Sequence, residues 1–235
     1  MFIEQEKFLL HDIPVILWGK SANKLYLYVH GQGGCKEEAE LLANLICDSG
    51  WQVLSIDLPG HGSRKAEINS FDPWHVVPEL KNVIKFTKEK YEYISLFANS
   101  IGAWFSMLSF KDEQIKNCMF VSPVLDMKSL ILKMMSGANI SLERLQRERM
   151  ITASSGQTFS WDYWNYVLSN PITQWNPATK ILYGDKDNLV DFSTVKKFCD
   201  TFKCSLTVMN GGEHWFHTEE QIDFLRNWIR KNIGE

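Results

Sequence analysis

Six short apolar runs are spaced along the 235-residue chain with amphipathic segments between them, and this alternation constrains the fold most strongly. Each run has the length and composition of a buried β-strand. Apolar strands that are separated by helices form a mostly parallel sheet with helices on both faces. The sequence therefore predicts an α/β fold with strands at residues 25–29, 53–56, 93–97, 118–121, 180–183 and 205–209.

Helix signals lie between these strands. Residues 37–47 carry apolar side chains on one face, and Gly50 follows where a helix C-cap glycine is expected. Residues 73–91 form a second predicted helix. Thr218 to Gln221 reads as a capping box, which predicts a last helix that ends near Ile233.

A tight turn is predicted where the strand at 93–97 meets the helix that follows it. Ser100 stands two residues after Ala98 and two before Gly102. A serine flanked by small residues at this spacing is typical of a nucleophile elbow, because strand and helix pass too close for larger side chains. An ordinary serine at a helix cap is the alternative.

Nearly sixty residues separate the strands at 118–121 and 180–183, where a single helix would suffice. Ser141 is a candidate N-cap for a helix through Ile151, and Ser160 for a helix from Trp161 to Leu168. We therefore expect a core formed by residues 1–125 and 178–235, and a helical lid inserted at residues 126–177.

Three further loops follow predicted strands. His30 begins a glycine-rich turn that suits an oxyanion hole, whereas a phosphate loop is disfavoured because neither of its glycine motifs is present. Asp185 and Asp187 follow the strand at 180–183. His214 and His217 follow the last strand, and a metal pair is a weaker interpretation because no third ligand has suitable spacing.

Composition excludes several classes of protein. A net charge of −3 with mixed signs argues against a nucleic-acid partner. Residues 93–110 carry no charge, but Asn99 and Gly102 interrupt them, so we expect no membrane span. The N-terminus has early acids and no signal-peptide pattern, and five cysteines without a CxxC pair favour reduced thiols in the cytoplasm.

Serine, then aspartate, then histidine, each directly after a strand, is the order found in α/β-hydrolases. The chain resembles this family over some 190 residues, from the turn after His30 through the loop at 56–63 and Ser100 to the acid and histidine loops. The resemblance implies an eight-stranded, mostly parallel sheet whose second strand is antiparallel, with the lid after the sixth strand. Ala98 is a departure, since many members have glycine there.

The resemblance also implies the catalytic roles. Ser100 would be the nucleophile, His214 the general base and Asp187 the carboxylate that orients it, with Asp185 as the competitor for that last role. The backbone N–H groups of Gln32 and Ile101 would form the oxyanion hole. No metal or organic cofactor is implied.

The implied reaction is hydrolysis of a small or medium apolar carboxylic ester through an acyl-enzyme. Thioesterase or amidase activity on the same residues, and a non-catalytic ligand-binding relative, are the alternatives. Trp161, Trp164 and Leu168 share one face of a predicted lid helix, so we expect them to form a pocket wall above Ser100. Packing of the lid onto the body is the competing interpretation of that face.

Overall fold

An eight-stranded sheet organises the protein, for which a computed structural model describes residues 3–233. In chain order the sheet strands are β1 (Gln5–Leu10), β2 (Ile13–Trp18), β3 (Lys24–Val29), β4 (Trp51–Ile56), β5 (Tyr93–Asn99), β6 (Asn117–Val121), β9 (Ala178–Gly184) and β10 (Ser205–Met209). A separate two-stranded hairpin contains β7 (Met150–Thr152) and β8 (Thr158–Ser160).

The spatial order of the sheet is β1-β2-β4-β3-β5-β6-β9-β10. Strand β2 runs antiparallel to β1 and β4, and the other pairs are parallel. The six strands expected from apolar runs are all present, and the mostly parallel eight-stranded sheet with an antiparallel second strand is confirmed. Because β3, β5, β9 and β10 are parallel, the loops after them meet at one edge.

Helices cover both faces of the sheet. They are α1 (Glu40–Ile46), α2 (Pro73–Lys88), α3 (Ile101–Phe110), α4 (Met127–Gly137), α5 (Leu142–Glu148), α6 (Trp161–Ser169), α7 (Phe192–Phe202) and α8 (Glu219–Asn232). One apolar cluster joins one sheet face to α1 and α8, and a second joins the other face to α2, α3 and α7. The sheet is therefore covered by helices on both faces.

Local signals explain several helix ends. Gly50 adopts the left-handed conformation at φ 79°, as a C-cap glycine does. Asp72 caps α2 by accepting a hydrogen bond from the N–H of His75. Thr218 caps α8 by accepting from the N–H of Gln221, but the Gln221 side chain accepts from His217 instead of closing the capping box.

Residues 126–177, called the inserted segment below, contain α4, α5, the β7–β8 hairpin and α6. The caps at Ser141 and Ser160 form as expected. The first of these helices ends at Glu148 rather than at Ile151, because Arg149 takes a φ of 66° and the hairpin begins. Helix α4 and the hairpin were not expected from the sequence.

Candidate active site

Ser100 lies on the turn between β5 and α3 with φ 48° and ψ −121°, a strained conformation for a residue with a side chain. Its N–H donates to the carbonyl oxygen of Val121 across a 3.0 Å bond, which fixes the turn against β6. A methyl group at Gly102 would clash with the backbone oxygens of Val29 and His30. Only glycine fits there, because the start of α3 passes close to the end of the neighbouring strand β3.

Ser100, His214 and Asp187 lie together in one hydrogen-bonded line. The Ser100 Oγ is 2.9 Å from Nε2 of His214, and Nδ1 of His214 is 2.7 Å from Oδ2 of Asp187. The Asp187 side chain is fully buried, and its Oδ1 accepts from the N–H groups of Leu189 and Val190. This arrangement can move a proton from the serine to the imidazole and stabilise the imidazolium that results.

The competing carboxylate, Asp185, has a different contact. Its Oδ1 accepts from the N–H of Gly211 at 2.7 Å, so it ties the acid loop to the histidine loop. Gly184 and Gly212 pass so closely that a methyl group on Gly184 would clash with the Gly212 carbonyl. The competing histidine, His217, contacts the carbonyl of Trp215 and the carboxylate of Glu213, not Ser100.

The glycine-rich turn after β3 lies against the serine. A methyl group at Gly31 would be 3.2 Å from Cβ of Ser100. Gln32 lines the cavity beside Ser100, and Ile101 is the first residue of α3, whose first N–H groups have no partner within the helix. Both backbone groups expected in an oxyanion hole therefore belong to segments that border Ser100.

His30 braces this turn. Its Nδ1 bonds the Gly31 carbonyl at 2.7 Å, and its Nε2 accepts from the N–H of Leu58 at 3.0 Å. Only a neutral imidazole makes both bonds. Burial lowers the pKa of His30 to about 4, more than the hydrogen bond to Gly31 raises it.

Asp57 anchors the loop that follows β4. Its carboxylate accepts from Nζ and the N–H of Lys36 and from the N–H and hydroxyl of Ser63. Burial tends to raise the pKa of Asp57, but these hydrogen bonds outweigh it and hold the pKa below its usual value. Asp57 therefore holds together the loops around the site. None of these hydrogen bonds goes to Ser100, His214 or Asp187.

A cavity of about 920 Å³ opens beside Ser100 and His214, between the sheet edge, α1 and α8. Most of its wall is apolar. A polar patch lies in the wall next to Ser100, where Asn99 is hydrogen-bonded to Tyr28 and Tyr28 to Glu38. Trp215 lies at the wall with 74% of its surface exposed and stacks on His217, with ring centroids 4.8 Å apart. The cavity thus suits a ligand that is largely apolar.

The predicted pocket wall is corrected by the structure. Trp161, Trp164 and Leu168 do not line the cavity beside Ser100. Trp164 is 4% exposed and packs with Trp161 in a small core internal to the inserted segment, while Leu168 is 45% exposed. The face is apolar because α4, α5 and the hairpin supply it with a core of their own. Trp161 and Trp164 therefore pack within the inserted segment itself, which is neither a wall beside Ser100 nor packing of this face onto the body.

Several cavity residues were missed by the sequence analysis. Asn99 and Trp215 are direct neighbours of Ser100 and His214, and that adjacency is the signal that would have found them. Tyr28 and Glu38 carry no comparable signal, because their proximity depends on how the short helical turn before α1 lies against the sheet.

Two further properties concern only residues 3–233. Within that range no group of three His, Cys, Asp or Glu side chains is arranged to hold a metal ion. No helix of the described part of the chain has the length and apolar character needed to cross a membrane.

No protein-family model matches the sequence, and no curated protein sequence matches it either. Solved structures do match. The esterase Est1E from Butyrivibrio proteoclasticus, solved with ferulic acid bound, superposes with a TM-score of 0.75 at 16% identity and 96% coverage of both chains. Alpha/beta hydrolase domain-containing protein 10 from mouse gives 0.75 at 13% identity, with 97% of both chains covered.

A thioesterase domain from the curacin biosynthetic pathway gives a TM-score of 0.64 at 16% identity, covering 97% of this chain and 99% of that one. Together with the strand order, these similarities show that the chain has the α/β-hydrolase fold. The resemblance seen in the order of the sequence motifs is therefore confirmed at the level of the fold.

Proposed function

We propose that this α/β-hydrolase-fold protein is a serine hydrolase that cleaves carboxylic esters by transferring the acyl group to water through Ser100. The observation that carries the proposal is the line of hydrogen bonds from Ser100 through His214 to Asp187, at 2.9 and 2.7 Å, on a strained strand-to-helix turn. Nucleophile, base and orienting acid are the three groups that acyl transfer requires.

In the first half of the reaction, Ser100 Oγ attacks the ester carbonyl while His214 Nε2 takes its proton. Asp187 keeps the imidazole in the tautomer that has a proton on Nδ1 and stabilises the imidazolium. The N–H groups of Gln32 and Ile101 would bind the oxyanion as negative charge develops on the carbonyl oxygen. His214 then gives its proton to the leaving alcohol, which leaves an acyl-Ser100 ester.

In the second half, His214 takes a proton from water, and the resulting hydroxide equivalent attacks the acyl carbon. Collapse of the second tetrahedral intermediate returns the proton to Ser100 and releases the carboxylic acid. Every proton and electron pair is accounted for by these residues and water, so the scheme calls on no metal or organic cofactor.

The apolar cavity beside Ser100 supports an apolar substrate of small or medium size. The fold similarity to an esterase supports the ester class. Thioester hydrolysis is the second candidate, because the chain is also similar in fold to a thioesterase domain. Amide hydrolysis and non-catalytic ligand binding have no observation of their own in favour.

The test is hydrolysis of p-nitrophenyl esters of increasing chain length, with acyl-CoA thioesters assayed in parallel. Ser100→Ala should lower kcat by roughly 10⁴–10⁶ without unfolding the protein. Ser106→Ala is the matched control, since Ser106 lies on α3, is buried and makes no hydrogen bond through its hydroxyl. Equal turnover by the wild type and Ser100→Ala would refute the proposal.

A further inference from the structure

The cavity wall nearest the nucleophile carries three polar side chains that ester cleavage itself does not use. Asn99 Nδ2 donates to the hydroxyl of Tyr28 at 2.9 Å, and that hydroxyl donates to Oε2 of Glu38 at 3.3 Å. Asn99 directly precedes Ser100, so this series of hydrogen bonds starts next to the proposed nucleophile. All three residues line the same cavity as Ser100 and His214.

The Tyr28 hydroxyl is not needed for packing. The Tyr28 side chain is 3% exposed, and its ring stacks on Phe97 with centroids 5.4 Å apart and an angle of 11°. Phenylalanine would fill the same volume and make the same stack. A buried hydroxyl costs free energy unless it is hydrogen-bonded, and here Asn99 and Glu38 satisfy it.

Glu38 keeps capacity to accept further hydrogen bonds. An ionised carboxylate has about four acceptor sites, and the hydrogen bond from the Tyr28 hydroxyl uses one of them. The side chain is exposed, and its carboxylate rests against Gly34, where a methyl group would lie only 2.8 Å from Oε2. The glycine leaves the space that the carboxylate occupies at the cavity wall.

Most of the remaining wall is apolar and includes Leu41, Leu42, Val121, Phe216 and Leu225, and Gln32 and His217 add polar side chains to it. An apolar cavity with one anionic acceptor is complementary to an apolar ligand that carries one hydrogen-bond donor. A ligand without a donor would leave the carboxylate partly desolvated and unpaired, which is unfavourable.

We propose that Glu38, held in place by Tyr28 and Asn99, determines specificity by accepting a hydrogen bond from a hydroxyl group on the substrate. The preferred ester then has an apolar body that ends in a hydroxyl. This inference rests on the proposed ester hydrolysis and adds the chemical class of the group that occupies the cavity.

The test uses two pairs of esters that differ only by one hydroxyl. Ethyl dihydrocinnamate and its para-hydroxy derivative carry the hydroxyl on the acyl side, and phenethyl acetate and para-hydroxyphenethyl acetate carry it on the alcohol side. The wild type should prefer the hydroxylated member of at least one pair by roughly tenfold in kcat/KM. A para-methoxy derivative, which cannot donate, should gain no such preference.

Substitutions then test whether the preference depends on the hydrogen-bonded side chains of Asn99, Tyr28 and Glu38. In Glu38→Ala and in Tyr28→Phe the preference should fall to about threefold or less, and Glu38→Gln, which keeps an acceptor oxygen, should restore part of it. Glu37→Gln is the matched control, because Glu37 is the neighbouring acid and pairs with Lys36 instead. It should keep the full preference.

Two failures are distinguishable. If the wild type hydrolyses both members of each pair equally, or if the preference survives in Glu38→Ala, the role of Glu38 is refuted while serine hydrolysis stands. If the wild type hydrolyses none of these esters, nor any p-nitrophenyl ester, the proposed function is refuted and the specificity inference falls with it.

Discussion

Two regions of the protein differ in where their characteristic side chains point. These regions are the loops after β5, β9 and β10, and the inserted segment at residues 126–177. The loops direct Ser100, Asp187 and His214 to one point at the sheet edge. The inserted segment turns its aromatic face inward, where Trp164 packs in a core of its own, and it contacts the body through the stack of Tyr163 on Trp104. Polar residues at strand ends converge because the sheet directs them, whereas an amphipathic face indicates burial without showing what covers it.

The largest predicted effect on activity concerns the two aspartates in the loop after β9, Asp185 and Asp187. Asp187→Asn should lower kcat by roughly 10³–10⁴, because an amide cannot hold the His214 tautomer that accepts the proton. Asp185→Asn should cost less than about tenfold, since its amide oxygen still accepts from the N–H of Gly211. Steady-state kinetics of both variants decide the assignment, and a greater loss in Asp185→Asn would transfer the role to Asp185.

In the inserted segment we expect a loss of stability rather than of specificity. Trp164→Ala should lower the free energy of unfolding by about 3–5 kcal/mol, because it empties the centre of a small apolar core. The ranking of ester chain lengths in kcat/KM should stay the same, which urea denaturation and the ester series check together. Leu168→Ala, at an exposed position of the same helix, should cost less than about 1 kcal/mol.

If Trp164→Ala changed the ranking of ester chain lengths without loss of stability, the face of α6 that carries Trp164 would be part of the substrate pocket after all. The two regions would then no longer differ as the structure indicates.

A smaller effect concerns His30 in the loop after β3, whose burial should make the stability of the protein depend on pH. The pKa of His30 is about 4 in the folded protein, against an ordinary value of 6.5. As pH falls below 6.5 the unfolded chain binds a proton that the folded protein does not, so stability decreases until the pH reaches about 4. At pH 5 this contribution amounts to about 2 kcal/mol.

Urea denaturation at pH 7 and pH 5 measures this effect. His30→Gln, which cannot titrate, should lose about 2 kcal/mol less than the wild type between these two pH values. The same pH dependence in both proteins would show that His30 is not the buried, neutral brace described here. Trp164→Ala serves as the comparison from the inserted segment and should keep the pH dependence of the wild type, because the core around Trp164 contains only apolar and aromatic side chains among the described residues.

The smallest predicted effect concerns Trp215. Trp215→Ala should lower kcat/KM for longer apolar esters by roughly three- to tenfold and leave the acetyl ester nearly unchanged, because only longer groups reach its ring. Stability should change by less than about 0.5 kcal/mol at so exposed a site. Trp74→Ala, another exposed tryptophan outside the cavity, is the control, and an equal loss for every ester would contradict a binding role for Trp215.

The same contrast explains how much the sequence could predict. Apolar strand runs are local signals, and a parallel sheet brings their carboxyl ends together, so strand order placed the loops that carry Ser100, Asp187 and His214 at one edge. The choice of Asp187 over Asp185 came from the family resemblance. Strands β1 and β2 were implied only by the family resemblance, although β2 (Ile13–Trp18) is itself a short apolar run that the strand prediction left out. Helix α5 ends and the hairpin begins at Arg149, which has a positive φ. Arginine has no preference for this backbone conformation, so the sequence could not predict where the helix ends.

The cavity was the least predictable part. Glu38 and Tyr28 meet because the short helical turn before α1, which contains Glu38, lies beside β3, and no spacing in the sequence encodes that contact. The apolar face of Trp161 and Trp164 was recognised, but its partners lie in α4, α5 and the hairpin, part of which the sequence did not reveal, and Leu168 is largely exposed. Long-range packing therefore limits prediction of the pocket more than prediction of the proposed catalytic residues.

Covalent labelling by a fluorophosphonate tests the central claim most directly, because this probe reacts with a serine only when a neighbouring base activates it. We predict one adduct per chain, located on Ser100 by peptide mass spectrometry, absent in Ser100→Ala and strongly slowed in Asp187→Asn. Wild-type protein that is folded yet unlabelled, or that carries the adduct on another serine, would contradict the account.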